Sequence, residues 1–522
     1  MNCFRLLLKL FVVVLIIPIS IQRTWAKSVT LRPKKPLTTQ INKANTTYVI
    51  RKDFDLEGQT LKMPENCVLK FNGGKLINGT ICGSQTHIAA KKSLVLKNIS
   101  IEGSWDNEEG YPEWFGAAND PNIDSKLAIQ KAIDVAKTCV LSDVYYTAYN
   151  TPTGRGDVAD VYAMAIKRKN IIGLKGNRIY IDAKFANTEK TSVFWVGDDV
   201  IIDGVNIEYC NEDYSGWTGI QAGVYRVQGG NVTIVNTTLR SAMAAWINLE
   251  GNTGRRGFVI RNNFVHDCDC GLIIQGNQHQ HNEVYDINLL MENNVIEKEK
   301  NRHSEMVSFW GCAKDGGRVY YTNVTIRGNR FSGGWQGGCI TGNPKYNGLR
   351  HIEITDNEFN DCGACTFYNT EGLLYERNFV TGSTFVERQV KGKLGSYPDL
   401  AFVNCKSCAV NDVSCFGLTF IDCKGFKIGK IKQTLAMDIN DPYLAQKDYI
   451  TNFIGIKAEN SSVTIDELNV NPFKDDNISS EKCRYYIFKA KNSVVNVGKM
   501  RASIPVHDSE KLLKIKDFIA NK

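Results

Sequence analysis

The chain has 522 residues, a formal net charge of +8, 44 glycines against 12 prolines, and 23% charged residues. This composition argues against a disordered chain and against a fibrous protein. It also argues against a nucleic-acid partner, because no long basic run is present and the aromatic residues are not interleaved with Lys/Arg clusters.

Residues 1–26 have the pattern of a secretory signal peptide. Arg5 and Lys9 lead into the apolar run Leu10–Ile21, and Thr24–Ala26 offers small residues for cleavage after Ala26. The run is too short for a membrane span. We therefore predict an exported, soluble chain with no membrane span. Since the signal holds three bases and no acids, the mature net charge would be +5, which suits an acidic polysaccharide without requiring one.

The cysteines favour core packing over metal binding. Cleavage of the signal would remove Cys3 and leave 15 of the 16 cysteines, an odd number. Several of them fall at similar places in successive repeats. Small, soft core residues explain this placement, although export also permits disulfides. The pairs Cys362/Cys365 and Cys405/Cys408 lie too far apart for a zinc ribbon, so we predict no metal site.

Short strand patterns begin after the signal. Residues 27–110 contain stretches such as Leu76–Gly83 and Leu94–Gly103, which are rich in strand-forming residues and punctuated by glycine or asparagine. We predict a small N-terminal region of β-coils.

A helix pattern follows in residues 111–170. Apolar residues three and four apart run from Leu127 to Ala136, and Asp124 or Ser125 is placed to cap the helix N-terminus. A strand solenoid must cover its open end, and we predict that this helix-containing segment is the cap.

From Phe258 to Val380 the pattern apolar–x–x–Asn–x–apolar recurs. Its asparagines are spaced by 31, 35, 28 and 21 residues, which suits a solenoid whose coils carry loops of different length. Asparagine tolerates left-handed backbone, and its amide can bond to the coils on either side, so we interpret the column as structural. We place the main solenoid at 171–500, followed by a tail at 501–522. The column comprises Asn263, Asn294, Asn329, Asn357 and Asn378.

The order Pro112–Ala117, an Asp-containing loop, the helix segment Ala128–Ile133 and then Asn-punctuated coils resembles the pectate-lyase-like superfamily. Asp55–Leu61 and the strands after it look like exported gut-bacterial members. The resemblance implies an all-β, right-handed parallel β-helix with a helix-containing N-terminal cap, in a secreted, periplasmic or cell-surface bacterial protein that acts on a polysaccharide. The superfamily hosts several reactions, so the resemblance specifies the fold better than the chemistry. We expect a monomer.

The densest polar cluster of the sequence lies beside the asparagine column. Asp267 and Asp269 follow one turn, and Glu305 falls in the next coil. If the first pair were locally extended, the two Cα atoms would lie ~6.6 Å apart on one face. Glycoside hydrolysis needs two carboxyl groups about 5–9.5 Å apart, one as acid and one as base or nucleophile. We therefore predict a glycoside hydrolase that uses these three residues. Three tryptophans are the predicted platforms for sugar rings: Trp246, Trp310 and Trp335.

A polysaccharide lyase is the first alternative. β-Elimination from a uronic acid needs a base, for which His303 or Lys314 is the candidate, and a cation on the substrate carboxylate, for which Arg302 is the candidate. His266 would assist substrate binding. Hydrolysis needs no cofactor, whereas a lyase could use Ca²⁺, but no dense Asp/Glu cluster is visible. The second alternative is a β-helix that binds glycan without cleaving it.

Overall fold

The computed structural model describes most of the chain after the predicted signal, which itself lies outside the described residues. The described ranges are 27–147, 162–182, 192–210, 223–242, 245–250, 257–268, 270–279, 284–297, 305–313, 316–333, 340–342, 344–360, 362, 365–381, 400–415, 417–434, 452–471, 485–502, 506–508 and 513–520. Within them, no helix is long and apolar enough to cross a membrane.

These residues form five parallel sheets and three short helices. The α-helices are Leu37–Gln40 and Lys126–Val135, and a 3₁₀-helix spans Pro112–Phe115. The N-terminal sheet comprises Lys27–Thr30, Thr46–Ile50, Phe54–Asp55, Thr60–Lys62, Val68–Phe71, Leu76–Ala89 and Leu96–Trp105.

The other four sheets make one long stack. Sheet I comprises Asn107–Gly110, Ala136–Leu141, Asn170–Gly173, Val200–Asp203, Val232–Val235, Phe258–Arg261, Val284–Glu292, Val319–Arg327, Asn347–Thr355, Glu371–Glu376, Ala409–Asn411, Val413–Cys415, Lys427–Thr434, Ser462–Asn471, Val494–Ala502 and Leu513–Ala520. Sheet II comprises Val144–Thr147, Arg178–Ile181, Asn206–Tyr209, Thr238–Ala242, Phe264–Cys268, Val295–Glu297, Arg330–Ser332, Glu358–Asn360 and Phe379–Thr381. Sheet III comprises Tyr162–Ile166, Ser192–Val196, Gly223–Val227, Ala245–Glu250, Leu272–His279, Val307–Ala313 and Ile340–Gly342. Sheet IV comprises Cys365–Tyr368, Leu400–Val403, Leu418–Ile421, Asn452–Glu459, Tyr485–Lys491 and Val506–Asp508.

The chain runs through sheets I, II and III in turn, and sheet IV takes the place of sheet III in the later coils. Within each of these sheets, neighbouring strands of the described residues come from successive coils and pair in parallel; Ile260 pairs with Met291, and Met291 with Ile326. These apolar side chains are buried and form a continuous core along the axis. The predicted all-β parallel β-helix is therefore confirmed, with the right-handed sense that crossovers between parallel strands adopt.

The asparagine column is a buried ladder of hydrogen bonds. The backbone N–H and the side-chain amide of Asn294 both donate to Oδ1 of Asn329 in the next coil, each at 2.9 Å. The amide of Asn294 also donates to the carbonyl of Ile260 in the preceding coil, at 2.9 Å. The same pattern continues through Asn357 and Asn378. Bonding in both directions along the axis is thus confirmed.

The predicted left-handed backbone lies one residue earlier than the column. Asn262 (φ 56°), Asn293 (φ 55°) and Gly328 (φ 63°) adopt it, each directly before a ladder asparagine. The ladder residues are selected for buried hydrogen bonding, and their predecessors for the sharp turn.

The predicted cap helix packs between the two stacks. Ile129 and Ile133 belong to the core of the main stack, whereas Val135 belongs to the N-terminal core. Ser125 is the N-cap, and Asp124 accepts a hydrogen bond from the N–H of Lys126 at 3.0 Å. The helix therefore seals the first coils of the main stack.

The main stack extends beyond both predicted bounds. It begins at Asn107–Gly110 in sheet I, well before residue 171, and reaches Leu513–Ala520. The predicted tail at 501–522 was wrong, because Leu513–Ala520 pairs along its length with the strand Val494–Ala502. Its alternation of polar and apolar residues is that of a strand with one buried face.

Candidate functional site

Five of the predicted site residues lie within the described part of the chain, and these can be placed. They are Trp246, His266, Asp267, Glu305 and Trp310. The other five lie outside the described residues and stay predictions: Asp269, Arg302, His303, Lys314 and Trp335.

Trp246 is not a surface residue. Its side chain is 0% exposed and belongs to the core of the main stack. Consecutive residues from Ala245 to Leu249 are all buried, so the strand shows no alternation that would separate an outward tryptophan from an inward one. The predicted role as a sugar platform was therefore wrong.

Asp267 is buried at the end of a strand of sheet II. Asp267 is 5% exposed, and its backbone is left-handed, with φ 61°. Aspartate is one of the few residues that adopt this conformation readily. The predicted spacing between Asp267 and Asp269 stays a prediction, because Asp269 lies outside the described residues.

Glu305 lies one coil further along the axis, at the same corner between sheets II and III. The N–H of Gly271 donates to the carbonyl of Glu305 at 3.2 Å, and the Cys270 thiol donates to the same oxygen at 3.0 Å. Glu305 is half-buried. The register therefore brings Glu305 beside the short connection that follows Asp267.

Trp310 lies on the strand that starts just after Glu305. It is 38% exposed, which is unusual for so large an apolar side chain, and its indole N–H donates to the hydroxyl of Ser308. Ser308 is fully buried on the same strand. An exposed indole whose N–H is held by a neighbouring hydroxyl offers a flat surface to a ligand.

His266 belongs to a polar row on the outer face of sheet II. It pairs in register with Arg240 in the preceding coil and with Glu297 in the following coil. Its Nδ1 atom lies 3.6 Å from the Glu297 carboxylate, and the imidazole stacks on Phe264. The row thus alternates cationic, titratable and anionic groups, about 4.8 Å apart along the axis.

The row continues into a groove of about 380 Å³ over the first coils of the stack. Arg178 donates to the hydroxyl of Tyr180 at 3.1 Å and to Glu208 at 2.8 Å. The hydrogen bond with Tyr180, followed by the charge of Glu208, holds the pKa of the Arg178 guanidinium above its ordinary value. Glu208 pairs in register with Arg240, so the groove and the row form one polar surface.

Sequence reasoning missed Arg240 and Glu297. Both lie three residues after a ladder position, as His266 does. For Arg240 that position is Thr237, which takes the place of an asparagine and donates its hydroxyl to Asn263 at 2.8 Å. Counting three positions from each ladder residue would have found Glu297. Arg240 was hidden because its ladder residue is a threonine.

A buried ion pair on sheet III was also missed. Arg226 donates to one carboxylate oxygen of Glu250 at 2.7 Å, and the amide of Gln228 donates to the other at 2.5 Å. The two charged side chains are only 12% and 10% exposed. Glu250 pairs in register with Gln275, and Gln275 with Trp310, so the pair lies two coils from the exposed indole. Both carboxylate oxygens of Glu250 accept hydrogen bonds from the protein, so this residue is suited to a structural role.

The described residues contain no group of three or more His, Cys, Asp or Glu side chains that could hold a metal ion.

No protein-family model matches the sequence, and no curated protein matches it. Among solved structures, the chain is similar to tailspike protein 3 of bacteriophage CBA120, with 9% identity over 79% of this chain and 61% of that chain and a TM-score of 0.39. It is also similar to a PL6 alginate lyase in complex with a trisaccharide, with 11% identity over 78% of this chain and 87% of that chain and a TM-score of 0.39. A third is the Streptococcus pneumoniae surface protein and adhesin PfbA, with 13% identity over 79% of this chain and 97% of that chain and a TM-score of 0.35. The chain spans less than two thirds of the tailspike's length. Its assignment as a parallel β-helix rests on its own strand register.

Proposed function

We propose that this chain is a carbohydrate-active enzyme that hydrolyses glycosidic bonds of a polysaccharide at the Asp267–Glu305 corner. One observation carries the proposal: the carbonyl of Glu305 accepts hydrogen bonds from Cys270 and Gly271 in the preceding coil. Cys270 lies three residues after Asp267. Asp267 and Glu305, which come from adjacent coils, then both lie at the corner between sheets II and III. Two nearby carboxyl groups are what glycoside hydrolysis requires.

Each carboxyl group has a defined task in this proposal. One donates a proton to the departing glycosidic oxygen, and the other activates water or attacks the sugar. Glu305 is half-buried and accessible to solvent, so we assign it to water activation, with Asp267 as the proton donor. Asp269 remains the alternative partner. No cofactor is needed for this reaction.

The substrate would cross successive coils of the stack. The exposed indole of Trp310 supplies a platform for a sugar ring on one side of the corner. On the other side, the polar row with Arg240 and His266 supplies hydrogen bonds to hydroxyl groups. An extended binding surface along the axis suits a polymer better than a small molecule. Export from a bacterial cell and a monomeric state remain part of the proposal.

β-Elimination is the second candidate, and one observation favours it. Arg240 and His266 pair in register in adjacent coils, so a cationic side chain lies beside an imidazole that could act as the base. The cation would neutralise a uronate carboxylate, and the imidazole would accept the proton from the adjacent ring carbon. Arg302, His303 and Lys314 stay candidates for the same tasks.

The test is incubation of the purified protein with a panel of neutral and acidic polysaccharides, reading new reducing ends together with the absorbance of unsaturated uronates. Hydrolysis predicts reducing ends without that absorbance. Both signals together would support elimination and overturn hydrolysis. Neither signal across the panel would overturn both reactions and support glycan binding alone.

A further inference from the structure

A second cleft lies at another corner of the stack, where strands of sheet IV turn into sheet I. Its volume is about 530 Å³, and its walls come from several successive coils. The cleft is separate from the Asp267–Glu305 corner, which lies between sheets II and III. The lining residues that matter here are Arg318, Tyr320, Arg350, Glu371, Lys406 and Lys424.

The register sets these side chains in a line along the axis. Arg350 pairs with Glu371, Glu371 with Lys406, and Lys406 with Lys424. Adjacent coils are about 4.8 Å apart, so the Cα atoms of Arg350 and Lys406 lie roughly 10 Å apart. A linear ligand could therefore contact several cations at once.

The cleft is cationic. Four of its lining residues are Lys or Arg, and two are acidic, Glu371 and Asp422. The carboxylate of Glu371 lies between two cations, 3.6 Å from Arg350 and 3.4 Å from Lys406. Asp422 accepts a hydrogen bond from the amide of Asn460 at 3.0 Å. Positive charge remains in excess, and both lysines are exposed to an incoming ligand.

The arginines are held in place before any ligand arrives. The guanidinium of Arg350 lies 4.3 Å from the centre of the Tyr320 ring. Gly348 makes room for that ring, because a Cβ atom there would lie 2.6 Å from Tyr320 Cε1. Arg318 donates to the carbonyl of Pro344 at 3.4 Å. Planar guanidinium groups fixed in this way suit carboxylate or sulfate oxygens.

We propose that this cleft binds an anionic saccharide segment, one that carries carboxylate or sulfate groups, as a site separate from the cleavage site. The site anchors a polymer by charge and takes no part in bond cleavage. This inference does not depend on which reaction occurs at the Asp267–Glu305 corner, because the cleft variant and its control both keep that corner intact.

The test is calorimetric titration of the full chain with four probes: an oligogalacturonate, a sulfated dextran, neutral dextran and single-stranded DNA. A Lys406→Ala/Lys424→Ala double variant is compared with a Lys70→Ala/Lys97→Ala control, which removes two exposed lysines from the N-terminal stack. Circular dichroism checks that each variant is folded.

The wild type and the control should bind an anionic probe, and the cleft variant should bind it about tenfold more weakly, a difference of about 1.4 kcal/mol. Preference for the oligogalacturonate or for the sulfated dextran identifies the carboxylate or the sulfate as the ligand group, and either supports the site. Equal binding by the cleft variant, equal binding of neutral dextran, or no binding of either anionic probe would overturn it. Tighter binding of single-stranded DNA would also overturn it, in favour of nucleic acid.

Discussion

Asn329 accepts two hydrogen bonds on one side-chain oxygen, from the backbone N–H and from the amide of Asn294 in the preceding coil, with both side chains buried. Its own amide donates to the carbonyl of Met291 at 3.0 Å and to Asn357 at 3.0 Å. One side chain therefore bonds to coils on both sides of it.

Replacing Asn329 by alanine should destabilise the protein strongly. The substitution removes the acceptor from two buried donors of Asn294, and each unsatisfied group costs about 1–3 kcal/mol. We expect a loss of about 3 kcal/mol or more in the free energy of unfolding, measured by urea denaturation.

The matched control is Asn122→Ala. Asn122 is exposed and its amide donates to Asp120 at 3.1 Å in an outer turn. Water can replace this bond, so we expect a loss below about 1 kcal/mol. Equal losses at the two positions would contradict the structural importance of the buried ladder.

Trp246 and Trp310, two of the predicted sugar platforms, should respond in opposite ways. Trp310→Ala removes an exposed platform, so KM for the polysaccharide should rise several-fold while thermal stability changes little. Trp246→Ala empties a core position, and should lower the free energy of unfolding by about 3–5 kcal/mol. Steady-state kinetics and thermal melts of both variants check this. A stable Trp246→Ala protein with a raised KM would restore Trp246 as a surface residue.

The ion pair between Asp356 and Arg377 should make stability depend on pH. Arg377 donates to both oxygens of Asp356, at 2.5 and 2.9 Å, and this hydrogen bonding holds the pKa of the Asp356 carboxyl below its ordinary value. A carboxyl group whose pKa is lower in the folded state stabilises the protein above its unfolded pKa, near 3.9, and loses that contribution as pH falls through the folded pKa.

Asp356→Asn should therefore lower Tm at pH 7, and the difference from wild type should shrink progressively below about pH 4. Asp412→Asn, at another left-handed turn with φ 48°, is the control. A Tm difference that stays constant from pH 7 to pH 2 would show that Arg377 does not bond to the ionised carboxylate.

The fold was predictable because its repeating contact is between identical residues. Each ladder asparagine bonds to the next, so the Asn263–Asn378 spacing reports the coils directly despite loops of different length. The later coils lack that marker. There the backbone N–H of Ser461 donates to the hydroxyl of Ser493 instead. The last strand, Leu513–Ala520, lies beyond these positions and was predicted as part of a tail.

The site was predictable only in part. The sequence indicated the coils that hold Asp267 and Glu305, because both follow ladder turns. It did not reveal the left-handed backbone of Asp267 or the burial of Trp246, since both depend on how the chain turns from sheet II into sheet III. The pairing of Arg240 with His266 depends on register between coils, which no local pattern encodes.

The most direct test of the proposed cleavage site is the rate of reducing-end release by Asp267→Asn and Glu305→Gln on a polysaccharide that the wild type cleaves. Glu358→Gln is the matched control. Glu358 is a half-exposed carboxylate of sheet II that lies 3.5 Å from Arg330, and its coil is separate from those of Asp267 and Glu305. Loss of an acid or base group typically costs about 10²–10⁴-fold in rate. We predict losses of that size for Asp267→Asn and Glu305→Gln, and wild-type rates for the control. Wild-type rates for both Asp267→Asn and Glu305→Gln, with the proteins folded, would contradict the assignment of catalysis to this corner.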